Sequence, residues 1–295
     1  LHGTNSGCFG LFECIDDAAT AGALIEAAAA WLAGRGRDQM MGPIDYSTNY
    51  PTGLLIDGFD TPPRVMMNHS PHYYVKLIEG CGLAKIKDLY CWRFADPSNL
   101  VDRWRTKAER LAAKGGTTIR CLDATDIDGE LARIRAVYNT AWGTAWGFVQ
   151  LSDAELRHFA KLLRQLADPQ LLLLAEVRGE PAGICLTLPD VNEALRQIDG
   201  RLTRWGLPLG YLKLRAGMKK IRGCRLFAMA VGQPYRRRGV AELLILKTLD
   251  YGKNSAGFVE AELSWTLEDN RLINRTIEAV GGSRYKTYRV YTKSI

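Results

Sequence analysis

The sequence predicts an α+β fold: a mixed, mainly antiparallel sheet with flanking helices, preceded by a partial unit of similar plan. Three observations predict it. Two apolar runs, 171–177 and 181–188, flank the turn Arg178-Gly179-Glu180, which is a hairpin signal. The apolar run 225–231 leads through Gly232-Gln233-Pro234-Tyr235 and Arg236-Arg237-Arg238-Gly239-Val240-Ala241 into an apolar helix reaching about 252. A strand at 257–265, a helix at 269–280 and a strand at 284–293 then close the chain.

Taken in order, residues 8–14 look like a strand, and Asp16 or Asp17 can cap an alanine-rich helix over 18–33 that ends near Gly34 and Gly36. The stretch 42–72 carries five prolines and is expected to be irregular, with short strands at 53–57 and 64–67. A helix at 72–80 and a strand at 84–93 follow. Asp96-Pro97-Ser98 opens a charged helix that stops at Gly115-Gly116, with proline near the first turn and glycine past the end. Residues 117–122 form a strand, 126–142 and 152–167 two helices joined by an aromatic loop, and 190–205 a mostly helical polar segment. The expected domains are 1–93, a connecting helix over 94–114, and 115–295.

The chain has 295 residues, 47% hydrophobic and 24% charged, ordinary for a globular protein. No apolar run approaches the ~20 residues of a membrane span, and no signal peptide is visible, so a cytoplasmic protein with no membrane partner is expected. The chain opens on Leu1 and enters a strand-like segment almost at once, so a missing N-terminal portion is expected, the alternative being removal of a tag or methionine. Seven cysteines without metal-type spacing read as reduced thiols, and no metal is expected. Residues 1–93 hold 7 Lys/Arg and 10 Asp/Glu; the other 32 and 22 lie in 94–295, the half containing the arginine turn.

That turn sits at a helix mouth, where unpaired N–H groups and the positive end of the dipole attract phosphate. Glycine allows a close backbone approach, and the arginines add cations. With Val231 at the strand end, Tyr235, Arg236, Gly239 and Ala241 in the turn, Asn270 opening the next helix and Gly281-Gly282 closing it, residues 115–295 resemble the GNAT superfamily of acyl-coenzyme A-dependent N-acyltransferases. The resemblance implies that backbone amides around Arg237, Arg238, Gly239, Val240 and Ala241 hold the coenzyme pyrophosphate, beside Arg236. It also implies that Met229, Ala230 and Val231 run beside the pantetheine arm; Asn270 is a further cofactor-binding candidate, its other reading being structural, closing the strand-to-helix turn.

Residues 1–93 resemble the later half of a second, degenerate GNAT unit, with Asp16-Asp17 in place of the basic turn, and are not expected to bind coenzyme A. The whole chain is similar to bacterial tandem-GNAT proteins. It departs from the family pattern twice. Gln233 stands where proline is common, and Ile277 stands where a tyrosine often protonates the departing thiolate.

Direct transfer from acetyl-CoA or another acyl-CoA to a primary amine is the expected activity. The amine belongs to a small molecule or peptide; nucleic acid is not the expected partner, despite the arginines. The rival readings are an aminoacyl or long-chain acyl transferase and a non-catalytic coenzyme-binding or interaction protein. The transfer needs a proton acceptor for the amine and a donor for the thiolate. Glu268 and Tyr288 are the candidates. Glu268 could equally serve the helix start beside Asp269, and Tyr288 could be a packed strand tyrosine. By strand periodicity Glu260 and Glu262 share a face, as do Tyr285 and Tyr291, with Tyr288 opposite. Tyr138, Trp142, Trp146 and Phe148 crowd the loop expected to wall the acceptor site, or simply pack in the core.

Overall fold

A computed structural model describes residues 5–94, 105–106, 109–110, 113, 115–143, 145–203, 206–279 and 281–295. The helix expected over 94–114 lies largely outside the described residues. The strands are β1 (Ser6–Cys8), β2 (Gln39–Gly42), β3 (Leu54–Asp57), β4 (Ala84–Phe94), β5 (Thr117–Cys121), β6 (Leu172–Val177), β7 (Glu180–Pro189), β8 (Gly223–Val231), β9 (Glu260–Leu267) and β10 (Ser283–Ser294). The helices are α1 (Ala18–Ala33), α2 (Tyr73–Gly80), α3 (Ile127–Trp142), α4 (Asp153–Leu166), the single turn α5 (Asn192–Leu195), α6 (Leu209–Met218), α7 (Val240–Asn254) and α8 (Arg271–Ala279).

All ten strands join one sheet in the order β1-β2-β10-β4-β9-β8-β7-β6-β5, with β3 also paired to β10. Only β1–β2 and β8–β9 are parallel. The sheet runs unbroken across the expected domain boundary: β4, from the N-terminal third, lies between β9 and β10. Its Trp92 and Phe94 pack with Ile277 of α8.

The continuous apolar character of β6 follows from cover on both faces. Leu174 packs with Ile134 and Val137 of α3, whereas Leu173, Ala175 and Val177 pack with Val240 and Leu244 of α7. Each such leucine contributes about 1.5–3 kcal/mol of burial. A further cluster holds α1 and α2 on β2 and β10 through Ile25, Leu32, Ile78, Met40 and Tyr291.

Four local expectations differ from the structure. Residues 9–15 are irregular rather than strand, because Leu11 turns to φ 51 and its N–H is taken by Asp45 Oδ1. Residues 64–67 form a turn, with Met67 N–H on Arg64 O, because Arg64 is drawn across the fold to Asp190 and Glu260. Among the described residues of 190–205, helix is confined to α5 and a 3-10 turn over Arg196–Ile198, and the longer helix of this connection is α6. A bulge at Tyr285 in β10 places Tyr285 and Tyr288 in the same apolar cluster, with Tyr291 in another.

At the seam of the N-terminal and C-terminal parts, Asp88 of β4 accepts two hydrogen bonds from Arg289 (2.8 and 3.1 Å) and pairs with Lys85. Burial raises its pKa, but Arg289 and then Lys85 outweigh it, so the carboxyl lies below the ordinary aspartate value. A depressed folded pKa means that the stabilisation is full above the unfolded value and is lost as pH falls through the folded one. Thermal stability should therefore fall below about pH 4. Asp88→Asn should lower stability near neutrality and flatten that acid slope.

Candidate functional site

The site grows from the one place where parallel strands part. β8 and β9 pair from Gly223↔Glu260 to Leu226↔Leu263, and no further. Beyond that pair β8 stays with β7 as far as Val231↔Gly183, while β9 stays with β4 through Thr266↔Tyr90 and Leu267↔Leu89. A gap opens between Phe227–Val231 on one side and the end of β9 on the other. Gly232 N–H donates to Ala182 O at 2.9 Å, so Val231 and Gly183 face each other as a non-hydrogen-bonded pair. The N–H and C=O of Val231 therefore point away from β7 toward the gap. Two residues earlier, Met229 does the same, while Ala230 bonds to β7. That edge can pair with an extended amide-bearing chain.

The arginine turn closes the wide end of the gap. Gln233–Tyr235 make a 3-10 turn, Arg237 has φ 64, and Gly239 (φ 81) is the N-cap of α7 with no side-chain cap. Its left-handed conformation is where glycine replaces other residues at least cost. In contrast, α1, α3 and α4 receive caps from Asp17, Asp126 and Ser152. The first N–H groups of α7 are left for an outside acceptor, with Val240 and Ala241 in its first turn. Arg236 donates to Ala141 O at 2.9 Å and to Val231 O at 3.3 Å, which fastens the turn to the end of α3. Arg237 and Arg238 are exposed, Arg238 lying beside the Tyr235 ring.

The gap has two apolar walls. Phe227, Ala228 and Trp142 pack on the α3 cluster; Trp265, Leu267 and Trp146 pack on the cluster of Leu55, Leu89 and Tyr288. Tyr138 contacts Trp142 edge-on at 4.8 Å and Phe148 at 5.3 Å. The N-terminal part latches this aromatic loop. Thr48 Oγ1 donates to Gly147 O (2.5 Å), Asn49 Nδ2 donates to Val149 O (3.1 Å), and the Tyr138 hydroxyl donates to Asn49 Oδ1. Burial, with the Glu155 charge, pushes the Tyr138 phenol up to about 12, so it stays a proton donor near neutral pH.

A buried polar cluster occupies the fork. Ser264 follows the last parallel pair, and its hydroxyl donates to Glu262 Oε1 at 2.5 Å. The Tyr285 hydroxyl also donates to Glu262. Arg225 donates to Ser264 Oγ (2.6 Å) and Val65 O (2.7 Å) and stands 3.5 Å from Glu262. Burial raises the Tyr285 phenol, and the Glu262 charge adds to it. Burial lowers Arg225, and Glu262 opposes that shift. Lys286 donates to Thr61 O and Pro62 O, holding the 58–69 loop over this face.

Of the expected catalytic pair, Glu268 lies on the β4 side of β9, away from the gap. Its carboxylate accepts Asp88 N–H (3.1 Å) and the Lys85 ammonium (2.6 Å). Tyr288 is fully buried, and its hydroxyl donates to Asn68 O at 2.9 Å. Asn270 bonds Leu267 O through its N–H and accepts Ile273 N–H, so it opens α8. Met229, Val231 and the 236–241 turn come together along one edge. The sequence reading passed over Arg225 and Ser264. Their signal was an arginine inside the apolar run of β8, opposite a strand with polar residues at every second position. Among the described residues, no group of three His, Cys, Asp or Glu side chains could hold a metal.

Residues 131–276 match the model of the acetyltransferase (GNAT) family. The whole chain is 35% identical over 299 residues to the bacterial ceramide synthase of Caulobacter vibrioides, covering 100% of this chain and 77% of that protein. It is 33% identical over 299 residues to protein YghO of Escherichia coli, covering 100% and 75%. A GCN5-related N-acetyltransferase from Sphaerobacter thermophilus shares the fold, with TM-score 0.50 and 16% identity, over 92% of this chain and 66% of that one. The parted strands, the uncapped helix behind the arginine turn and the likeness to these relatives along this whole chain agree: the chain belongs to the GNAT family of acyltransferases.

Proposed function

We propose that the protein transfers a long acyl chain from coenzyme A to the primary amine of a lipid-like acceptor. The observation that carries the transfer is the gap beside Val231, with a strand edge that β9 leaves unpaired and an uncapped helix mouth at one end. The choice of a long chain over acetyl rests on the likeness, along this whole chain, to a bacterial ceramide synthase and on the two apolar walls. Pyrophosphate rests on the amides of 237–241 with Arg237 and Arg238, and the pantetheine amides pair with Met229 and Val231. The acceptor approaches from the side walled by the aromatic loop. Its neutral nitrogen attacks the thioester carbonyl carbon, the C–N bond forms, and the C–S bond breaks. The nitrogen's proton passes by way of Ser264 to Glu262, and the sulfur leaves with the C–S electron pair as a thiolate that takes its proton from water.

Geometry favours Glu262 over Glu268 in this role, since Glu268 is turned to Lys85 and β4. Tyr288 stays with Asn68 as support for the wall.

An acyl-chain series tests the reading with a long-chain amino alcohol as acceptor. The kcat/KM is expected to rise with chain length, by up to about fourfold per buried methylene. Preference for acetyl-CoA would sink the long-chain assignment; failure to turn over any acyl-CoA would sink the transferase.

A further inference from the structure

A strongly basic segment of the chain takes no part in the site just described. Residues 195–222 hold eight Lys or Arg against one Asp, a net +7 equal to the formal net charge of the whole chain. Seven of those cations are described: Arg196, Arg201, Lys213, Arg215, Lys219, Lys220 and Arg222. All seven are exposed, and none forms an ion pair among the described residues. The same segment presents Leu195, Leu202, Leu207, Tyr211 and Leu212, each between 41% and 58% exposed. These are five of the thirteen exposed large hydrophobics among the described residues.

The fold holds these groups in one short double layer. Tyr211 N–H donates to Leu202 O at 3.0 Å. A Cβ on Gly210 would lie 1.8 Å from Arg201 O, and one on Gly217 would lie 3.1 Å from the Ala194 Cβ. The glycines let α6 lie directly on the 194–202 arm. Gly210 and Gly217 are its buried residues; Met218 packs on the core cluster of Leu188 and Ile221, whereas Tyr211, Leu212, Lys213 and Arg215 are exposed. An element that turns both leucine and lysine to solvent has the chemistry of the boundary between headgroups and acyl chains. Apolar side chains enter that boundary and cations meet lipid phosphates.

We infer that the 195–222 segment, through α6 and the arm beneath it, docks this protein on the surface of an anionic phospholipid bilayer. Such docking needs no spanning helix, and no described helix is long and apolar enough to cross a membrane. The expectation of no membrane partner tested only for a span. Placement adds a consequence. The segment joins the end of β7 to the start of β8, and the arginine turn follows the far end of β8. Nine residues of strand, about 30 Å, separate the two, with the fork at Leu226 between them. A bilayer at one end can deliver a lipid amine while the water-soluble donor enters at the other. The delivery role rests on the proposed acyl transfer; the docking does not.

Co-sedimentation with vesicles, without substrates, tests the docking separately from the reaction. The two vesicle types are phosphatidylcholine alone and phosphatidylcholine with about one-third phosphatidylglycerol. The protein is expected to sediment with the anionic vesicles alone and to be released by about 0.5 M salt. Lys213→Glu with Arg215→Glu should weaken binding at least about 25-fold, about fivefold per cation lost. Leu207→Glu with Leu212→Glu should weaken it at least about 10-fold. All four positions are exposed, so circular dichroism should be unchanged. The inference is overturned if the folded protein ignores anionic vesicles, or if both variants sediment like the parent. It is equally overturned if the leucine variant instead converts a dimer to a monomer in sedimentation velocity, which would make the face an interface between copies.

Discussion

Reversing the two exposed charges of the turn, Arg237→Glu with Arg238→Glu, is expected to weaken coenzyme A binding by at least about 100-fold, with the melting temperature within about 2 °C of the parent. Both side chains are exposed, and the described contact of Arg238 is a loose one with the Tyr235 ring at 5.9 Å. Arg237 has φ 64, and glutamate meets the same backbone demand as arginine there. Stability therefore has little to lose, whereas a pyrophosphate loses two charge-assisted partners worth about 1.5–3 kcal/mol each. Arg236 differs, since its guanidinium holds Ala141 O and Val231 O. Arg236→Ala should disturb the end of α3 as well as the ligand. Isothermal titration beside a melting curve separates the two cases.

The second large effect lies at the fork. Glu262→Gln is expected to lower kcat by about 100-fold or more, the range of a lost general base, and to cost about 3–5 kcal/mol of stability. The stability loss follows from Arg225, which is buried and would keep Ser264 and Val65 as partners but lose its carboxylate. Arg225→Met separates the causes. It removes the stranded cation, leaves the carboxylate with Ser264 and Tyr285, and should destabilise by a similar amount. In fully folded protein at low temperature, Arg225→Met should retain more turnover than Glu262→Gln. If the two variants lose turnover equally, Glu262 is a structural anchor and the proton goes elsewhere.

What was legible in the sequence was what local pattern controls. The hairpin of β6 and β7, the β8-turn-α7 unit and α1 over 18–33 followed from periodicity, capping and turn chemistry. The arginine turn was legible because its glycine and cations are contiguous. Long-range pairing was not. The insertion of β4 between β9 and β10 joins residues more than 160 positions apart, and nothing in its alternation names its neighbours. The run around Val65 read as a strand until Arg64 found Asp190 and Glu260, partners 126 and 196 residues away. Glu268 looked placed for chemistry by its position before a helix, but its direction was set by Lys85 and Asp88 on a distant strand. A bulge at Tyr285 defeated simple alternation for the β10 tyrosines, since an extra residue resets the face.

Calorimetric titration of the protein with coenzyme A tests the central claim most directly, because it reads the cradle without any assumption about the acceptor. One site per chain is expected. It should be lost in the Arg237→Glu, Arg238→Glu variant and unchanged by Asp17→Ala, since Asp17 caps α1. Absence of binding by folded protein, two sites per chain, or full binding by the turn variant would contradict it.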